Sequence, residues 1–307
     1  MLKKGIVYCS TGSNYRIKSE GQFYDCRIKG KFRIKDIKST NPVAVGDKVS
    51  FTIEPKNKFK GVITAIETRQ NYIVRKSVNL SKQTHIIAAN IDQVFLMITL
   101  KTPQTFPAFI DRFLVTALAY DINMLLLFNK IDLYDKDELR VMRDLKSVYQ
   151  NIGYECHEVV ASDLKTLAII QSKMEGKVSM FSGHSGAGKS TLVNSLSPGL
   201  DLKTASISKQ HQQGQHTTTF AEMFDLGASR IIDTPGIKGF GVVDIQPEEL
   251  SGYFIEFAAL KGSCKFNNCM HTSEPKCAIK EAIEVGKIAP SRYKSYLQLL
   301  EEDSLYR

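Results

Sequence analysis

The chain has 307 residues, of which 43% are hydrophobic, enough to fill the cores of two or three domains. No apolar run approaches the ~18 residues needed to span a bilayer, and the first residues lack the long apolar stretch of a signal peptide. We therefore expect a cytoplasmic protein that makes no contact with a membrane.

The net charge of +9 is distributed unevenly along the chain. Residues 1–80 carry 17 Lys and Arg against 6 Asp and Glu, whereas the remainder carries 24 against 26. An excess of positive charge confined to the first quarter suggests a nucleic-acid partner for that segment. A lysine-rich soluble surface would have the same composition, so charge alone leaves both interpretations open.

Residues 1–72 are predicted to form a small all-β barrel. Short runs of alternating polar and apolar residues, separated by turn signals, indicate about five strands, at residues 5–10, 15–18, 23–28, 48–53 and 62–67. The positive charges interleave with Tyr and Phe, as in an OB-type barrel that binds RNA. A basic barrel that only packs on its neighbour is the alternative.

Residues 73–245 are predicted to form an α/β domain. Its apolar strands are expected after a polar connector at residues 71–90, and they alternate with helices, which indicates a mainly parallel sheet. The strands are predicted at residues 93–100, 122–128, 178–182 and 230–232, and the helices at 106–120 and 135–152. Residues 246–307 are predicted to be a helical domain, with helices at 251–261, at 278–285 and from 291 onward.

The motif with the clearest chemistry is Gly183-His184-Ser185-Gly186-Ala187-Gly188-Lys189-Ser190, which matches G-x-x-x-x-G-K-[ST]. It follows a predicted strand and precedes a helix that begins near Thr191, the context that a phosphate-binding loop requires. Backbone N–H groups of the loop and of Thr191 would surround the phosphates. Lys189 would reach the outer phosphates, and Ser190 would ligate Mg²⁺.

A second motif, Asn129-Lys130-Ile131-Asp132, selects the base. It follows a buried strand, so it lies at the end of the sheet where α/β proteins bind ligands. The Asp132 carboxylate can accept hydrogen bonds from the guanine N1–H and N2–H₂ groups, a donor pair that adenine lacks. Ser162, in Ala161-Ser162 after residues 158–160, would add backbone contacts to the base.

The switch residues are predicted on two further segments. Asp233-Thr234-Pro235-Gly236 matches D-x-x-G, in which Asp233 holds Mg²⁺ through water and the Gly236 amide senses the γ-phosphate. Between it and the phosphate loop lies His216-Thr217-Thr218-Thr219 in a Gln- and Gly-rich stretch. A threonine there can ligate Mg²⁺ when GTP is bound. Thr218 is the first choice, Thr219 is the second, and an ordinary polar loop is the alternative.

These motifs occur in a circularly permuted order. Ordinary Ras-like GTPases run from the phosphate loop through the switch threonine and DxxG to NKxD, whereas here NKxD comes first and DxxG last. The same sheet can form if the old termini are joined and a loop is cut. The permutation makes DxxG the last element of the domain, joined directly to the C-terminal domain.

Three cysteines and one histidine within 14 residues predict a metal centre. Cys264, Cys269, His271 and Cys277 have the spacing C-x4-C-x-H-x5-C. Three thiolates and one imidazole form a closed tetrahedral Zn²⁺ site with no open position, so the predicted role of one zinc ion is structural. Three free cysteines beside a solvated histidine are the alternative.

Over nearly its whole length the sequence resembles the circularly permuted small ribosomal subunit biogenesis GTPases (RsgA, also called YjeQ). The resemblance is carried by the N-terminal barrel, the permuted motif order, the stretch Gly214–Thr219 and the cysteine cluster. It implies GTP hydrolysis stimulated by the small ribosomal subunit, contact with its rRNA, a role late in maturation of that subunit, and zinc at the matching positions.

The residues also bear on catalysis. Ordinary small GTPases often carry Gln directly after DxxG to orient the attacking water, but Ile237 stands at that place. We therefore expect slow intrinsic hydrolysis completed by a partner, with Lys189, Thr218 and, to position the water, His216 as the catalytic residues; a plain loop histidine is the alternative for His216. A nucleotide-gated RNA-binding protein with negligible turnover remains the competing function, and a monomer is expected.

Overall fold

The computed structural model describes residues 2–28, 42–55, 57–76, 84–197, 221–233 and 245–305. Within these ranges, no helix is both long enough and apolar enough to cross a membrane.

The N-terminal strands close into a five-stranded barrel. The neighbouring strands follow the order β1-β2-β3-β5-β4, and β4 pairs back onto β1. The inward positions are apolar and buried, among them Val7, Ile17 and Phe51, because alternate residues of each strand face the barrel interior. The predicted OB-type barrel is therefore confirmed, with strands β1 (Leu2–Ser10), β2 (Tyr15–Ser19), β3 (Gln22–Ile28), β4 (Lys48–Glu54) and β5 (Asn57–Ile66).

The polar connector predicted at residues 71–90 is wrong. This segment contains a two-stranded antiparallel sheet of β6 (Tyr72–Lys76) and β7 (Thr84–Ala89). Ile73 and Ala88 are fully buried opposite each other. The apolar stretches at residues 73–74 and 86–89 are too short to stand out as strands, because the residues between them in the sequence are mostly polar.

The central α/β domain has a sheet of order β10-β9-β8-β11-β13-β12. All adjacent pairs are parallel except β12–β13. The mainly parallel sheet predicted from the sequence is thus confirmed, with strands and helices β8 (Gln93–Ile98), α1 (Pro107–Ala119), β9 (Asn123–Asn129), α2 (Lys136–Asn151), β10 (Glu155–Val159), α3 (Leu164–Met174), β11 (Val178–Gly183), α4 (Lys189–Leu196), β12 (Glu222–Leu226) and β13 (Ser229–Asp233).

The barrel continues this sheet. Strand β1 pairs antiparallel with β12 at Cys9 and Glu222. Beside that pair, the Tyr8 hydroxyl donates to Asp225 at 2.6 Å and accepts from Arg230 at 3.2 Å. Burial, the largest cause, raises the pKa of Tyr8 to about 12, so its hydroxyl remains a donor at neutral pH. The barrel is therefore joined to the hairpin whose second strand ends at Asp233.

The C-terminal residues form helices around their own core, and α1 packs against the helix at residues 290–305. The single helix predicted at residues 251–261 is wrong, because the backbone leaves the helical region at Phe254 (φ −101°, ψ 108°). That break places the Phe254 ring in the core against Phe257 and Tyr296. The elements are α5 (Pro247–Leu250), a 3₁₀ turn (Ser251–Tyr253), α6 (Ile255–Ala258), α7 (Ala278–Glu284) and α8 (Pro290–Leu305).

Candidate active site and metal centre

The two sequence motifs lie side by side at one edge of the sheet. Strands β9 and β11 flank β8 and run parallel to it, so the loops that follow them emerge at the same edge. The Asn129 amide nitrogen donates to the carbonyl of Ala187 at 2.8 Å. The Lys130 ammonium donates to the carbonyls of Gly186 at 2.7 Å and Thr102 at 2.6 Å. Asn129 and Lys130 therefore brace the phosphate loop directly.

At two glycines of the phosphate loop, a side chain would clash with neighbouring atoms. Gly183 and Gly188 have φ angles of 141° and 100°. A Cβ on Gly183 would lie 2.7 Å from the Met97 carbonyl oxygen, and a Cβ on Gly188 would lie 2.4 Å from the Asn129 amide nitrogen. The glycines thus allow the loop to pass close to β8 and to the Asn129 side chain.

The Lys189 side chain folds back over this loop. Its ammonium donates to the carbonyls of Gly183 at 2.6 Å and His184 at 3.1 Å. Burial lowers the pKa of Lys189, and the negative charge of Asp233 acts in the opposite direction. Lys189 and Ser190 stand in the first turn of α4, where unpaired backbone N–H groups favour an anion.

Asp132 is exposed in a 3₁₀ turn (Ile131–Leu133) that directly follows Asn129 and Lys130. Lys130 adopts the left-handed conformation, with φ 64°, and thereby turns the chain out of β9. The Tyr134 hydroxyl fixes this turn, because it donates to the Asn129 carbonyl at 2.9 Å and accepts from the Leu100 amide at 2.8 Å. The Asp132 carboxylate is therefore exposed, and the Tyr134 hydrogen bonds hold the turn that carries it in place.

Of the other residues predicted to act at the nucleotide, some lie within the described ranges and some lie outside them. Ser162 is exposed just after β10, and Asp233 ends β13, so both lie at the carboxyl edge that carries the phosphate loop. Asp163 caps α3 by accepting from the Thr166 amide at 3.1 Å. His216, Thr218, Thr219, Gly236 and Ile237 lie outside the ranges that the structure describes.

The predicted metal ligands converge. One donor atom from each of Cys264, Cys269, His271 and Cys277 lies within 4.8 Å of the other three. The Nδ1 atom of His271 is 3.6 Å from the Cys264 sulfur and 3.4 Å from the Cys277 sulfur. A tetrahedral Zn²⁺ with bonds of about 2.0–2.3 Å requires ligand atoms at such separations. The cluster therefore fits zinc in both geometry and donor chemistry.

A second set of contacts holds the ligand-bearing loop. The Glu274 carboxylate accepts from the amides of Met270 and Thr272, each at 2.8 Å. From α8, the hydroxyl of Tyr293 donates to the His271 carbonyl at 2.7 Å, and that of Tyr296 donates to the Met270 carbonyl at 2.8 Å. Sequence reasoning missed these residues, although two tyrosines three apart on one helix are a signal that one face contacts a neighbour.

Replacing Cys264 by Ser is expected to abolish stoichiometric zinc binding and to unfold the ligand loop, because so short a segment has little core of its own. Metal analysis of the purified variant and of the parent protein checks the first effect, and limited proteolysis checks the second. Guanine-nucleotide binding should persist, since its loops have a separate sheet. Cys156→Ser is the matched control, and a parent protein without zinc would refute the site.

Comparison with known proteins decides the family. The model of the RsgA GTPase family matches residues 66–243, and that of the RsgA N-terminal domain matches residues 4–63. The chain belongs to the RsgA GTPase family. It is 63% identical to the small ribosomal subunit biogenesis GTPase RsgA of Christiangramia forsetii over 99% of this chain and 98% of that protein.

Solved structures of this family have the same architecture. YjeQ from Thermotoga maritima is similar with a TM-score of 0.78 and 35% identity, over 98% of both chains. YloQ, described as a circularly permuted GTPase, is similar with a TM-score of 0.75 and 29% identity, over 100% of this chain and 96% of that one. The predicted GTPase activity and the permuted fold are thereby confirmed.

One contact at the site had no sequence signal. The loop between β8 and α1 carries Thr102, whose carbonyl accepts from Lys130, and Pro103, which lies 3.5 Å from a Cβ built on Gly186. Neither residue belongs to a nucleotide-binding motif. This loop therefore supports the site from the side, and only the tertiary structure brings it there.

Proposed function

We propose that this GTPase acts on the small ribosomal subunit, assists a late step of its maturation and has its GTP turnover stimulated by that subunit. Support for the partner comes from the names of its RsgA relatives and from the basic N-terminal barrel. We further propose that it works in the cytoplasm as a monomer.

The observation that carries the nucleotide assignment is the bracing of the phosphate loop by Asn129 and Lys130, at 2.8 Å and 2.7 Å. A guanine-reading motif and a phosphate-binding loop fixed to each other are suited to a ligand that has both a base and a polyphosphate. In this assignment Asp132 reads the guanine, and the segment from Gly183 to Thr191 surrounds the phosphates. Ser162 adds a backbone contact to the base.

The proposed catalytic groups act on the γ-phosphate. Lys189 supplies a fixed positive charge where negative charge accumulates in phosphoryl transfer. Ser190 and Thr218 would hold Mg²⁺, which neutralises the phosphate oxygens when bound, while Asp233 would hold it through water. The Gly236 amide would sense the γ-phosphate, and His216 would position the attacking water. Zinc would be held by Cys264, Cys269, His271 and Cys277 in a structural role.

The barrel offers a surface suited to single-stranded RNA. Phe59 is 45% exposed between the exposed Lys58 and Lys60. The Lys58 ammonium lies 5.2 Å from the centre of the Phe59 ring. An accessible aromatic ring flanked by cations can stack a base and neutralise its phosphates. We propose that this segment, Lys58–Phe59–Lys60, contacts rRNA.

The nucleotide assignment is tested by turnover in the isolated protein. The parent should hydrolyse GTP slowly, at about 10⁻⁴ to 10⁻² s⁻¹, and should leave ATP unchanged. Lys189→Ala should lower GTP turnover by about 100-fold or more, because the transition state then lacks its cation. Lys177→Ala is the control, because Lys177 is exposed directly before β11, at the opposite end of that strand from the phosphate loop. Turnover in Lys189→Ala within twofold of the parent would contradict the assigned role.

A further inference from the structure

The phosphate loop carries a ring contact that none of the nucleotide motifs requires. The His184 imidazole stacks on the Phe109 ring, with ring centroids 3.9 Å apart and planes inclined by 26°. His184 is one of the variable positions of G-x-x-x-x-G-K-[ST], and it is the only aromatic residue between Gly183 and Ser190. Both side chains are half-buried, so the stack forms part of the packing between the loop and α1.

The backbone of the same residue holds the catalytic lysine. The His184 carbonyl accepts from the Ala187 amide at 3.1 Å and from the Lys189 ammonium at 3.1 Å. A shift of His184 therefore changes the turn of the loop and one of the two carbonyls that orient Lys189. The neighbouring glycines have no side chains, so the His184 ring adds a packing contact at the start of the loop to the hydrogen bonds that Asn129 and Lys130 make farther along it.

Helix α1 is a firm support for that ring. Phe109 packs against Phe113 one turn later, with ring centroids 4.8 Å apart. Asp111, which is two residues away and so on the other side of the helix, is fully buried and forms an ion pair with Arg292 at 2.6 Å. The helix is thus fixed on both sides, and it presents the Phe109 ring to the loop at a set position.

We infer that His184, held by its stack on Phe109, is a positioning residue that aligns the phosphate loop and the Lys189 ammonium for phosphoryl transfer to water. This inference rests on the proposed role of Lys189. It assigns no contact between the His184 ring and the nucleotide, because the ring acts through the His184 carbonyl and through the course of the loop.

The test measures single-turnover GTP hydrolysis, nucleotide affinity and thermal midpoint for variants of both rings. His184→Ala and Phe109→Ala should each lower the hydrolysis rate about two- to tenfold, the range given by the loss of one aromatic pair. GTP affinity should change less, since the Asp132 contacts are untouched. The double variant should be no slower than the slower single variant, and His184→Phe, which keeps a stacking ring, should recover most of the rate.

Phe109→Leu keeps apolar volume against Phe113 but removes the ring, so it replaces Phe109→Ala if that variant fails to fold. Phe106→Ala, at an exposed neighbouring phenylalanine, is the control and should match the parent. A parent-like rate in His184→Ala, multiplicative losses in the double variant, or no recovery in His184→Phe would overturn the inference. Parent-like turnover in Lys189→Ala would instead refute the proposed function of the loop.

Discussion

Asp132→Asn is expected to lower GTP affinity by about 100- to 10,000-fold, the loss for two charge-assisted hydrogen bonds and an unpaired donor left in the site. The exposed Asp132 carboxylate accepts only, so it matches the N1–H and N2–H₂ donors of guanine. An amide presents one donor and one acceptor, which matches the edge of xanthine instead. The variant should therefore gain affinity for xanthosine triphosphate as it loses affinity for GTP.

The measurement is equilibrium binding of both nucleotides to the parent and to the variant. Asp137→Asn, on the first turn of α2, removes the same charge five residues away and should leave both affinities unchanged. Equal GTP affinity in Asp132→Asn and the parent would remove this carboxylate from the guanine site. A loss of GTP affinity without a gain for xanthosine triphosphate would mean that the turn, and not the base contact, was disturbed.

Arg292→Ala is expected to lower the free energy of unfolding by about 3–5 kcal/mol, the cost of leaving buried charges without their partner. Arg292 is 1% exposed. It donates to Asp111 at 2.6 Å and to Glu256 at 2.6 Å and 3.1 Å. Burial disfavours the charged guanidinium, but attraction to Asp111 and Glu256 outweighs this effect and raises the pKa of Arg292.

This cluster joins the C-terminal helices to the nucleotide domain. The Asp111 carboxylate on α1 also accepts from the Tyr149 hydroxyl on α2 at 2.9 Å, and the Arg292 guanidinium lies 4.5 Å from the centre of the Phe254 ring. Urea unfolding of the variant measures the effect. Lys294→Ala, an exposed position on the same helix, should change stability by less than about 0.5 kcal/mol. If Arg292→Ala lowered the free energy of unfolding by less than about 1 kcal/mol, these buried ion pairs would not stabilise the fold as expected.

The features that could be predicted from the sequence are formed by residues that lie close together in the chain. The glycines of the phosphate loop follow a strand and precede a helix in the sequence itself, so the position of the loop could be predicted without tertiary information. The cysteine cluster lies within 14 residues, and its ligand atoms meet because the intervening loop is short. In both places, residues that are close in sequence determine the geometry.

What the sequence could not predict depends on contacts between distant residues. In the sequence, nothing distinguishes Arg292 from an ordinary basic residue of a predicted helix. Only the packing of α8 on α1 brings it to Asp111, 181 positions earlier. Phe254 interrupts a helical pattern because its ring fills a core made by other elements. The Tyr8–Asp225 bond joins residues 217 apart, so no local pattern indicates how closely the barrel and the sheet are joined.

The pairing of the barrel with the nucleotide domain determines which variant can test contact with the small ribosomal subunit. Because β1 pairs with β12, removal of the barrel would expose an edge of the nucleotide domain and confuse loss of RNA contact with loss of structure. Phe59→Ala in the full chain is the cleaner change, since this ring is exposed and lies in β5. It should leave intrinsic GTP turnover unaltered.

Stimulation by the small ribosomal subunit is measured as GTP turnover of the full chain with and without purified small subunits. We expect the small subunit to raise turnover by about tenfold or more, as a partner that completes a catalytic site does. Large subunits should have no such effect, and Phe59→Ala should need a higher small-subunit concentration to reach the same rate. Turnover that is equal with and without small subunits, in a protein that binds them, would refute subunit-stimulated hydrolysis and support a nucleotide-gated RNA-binding protein.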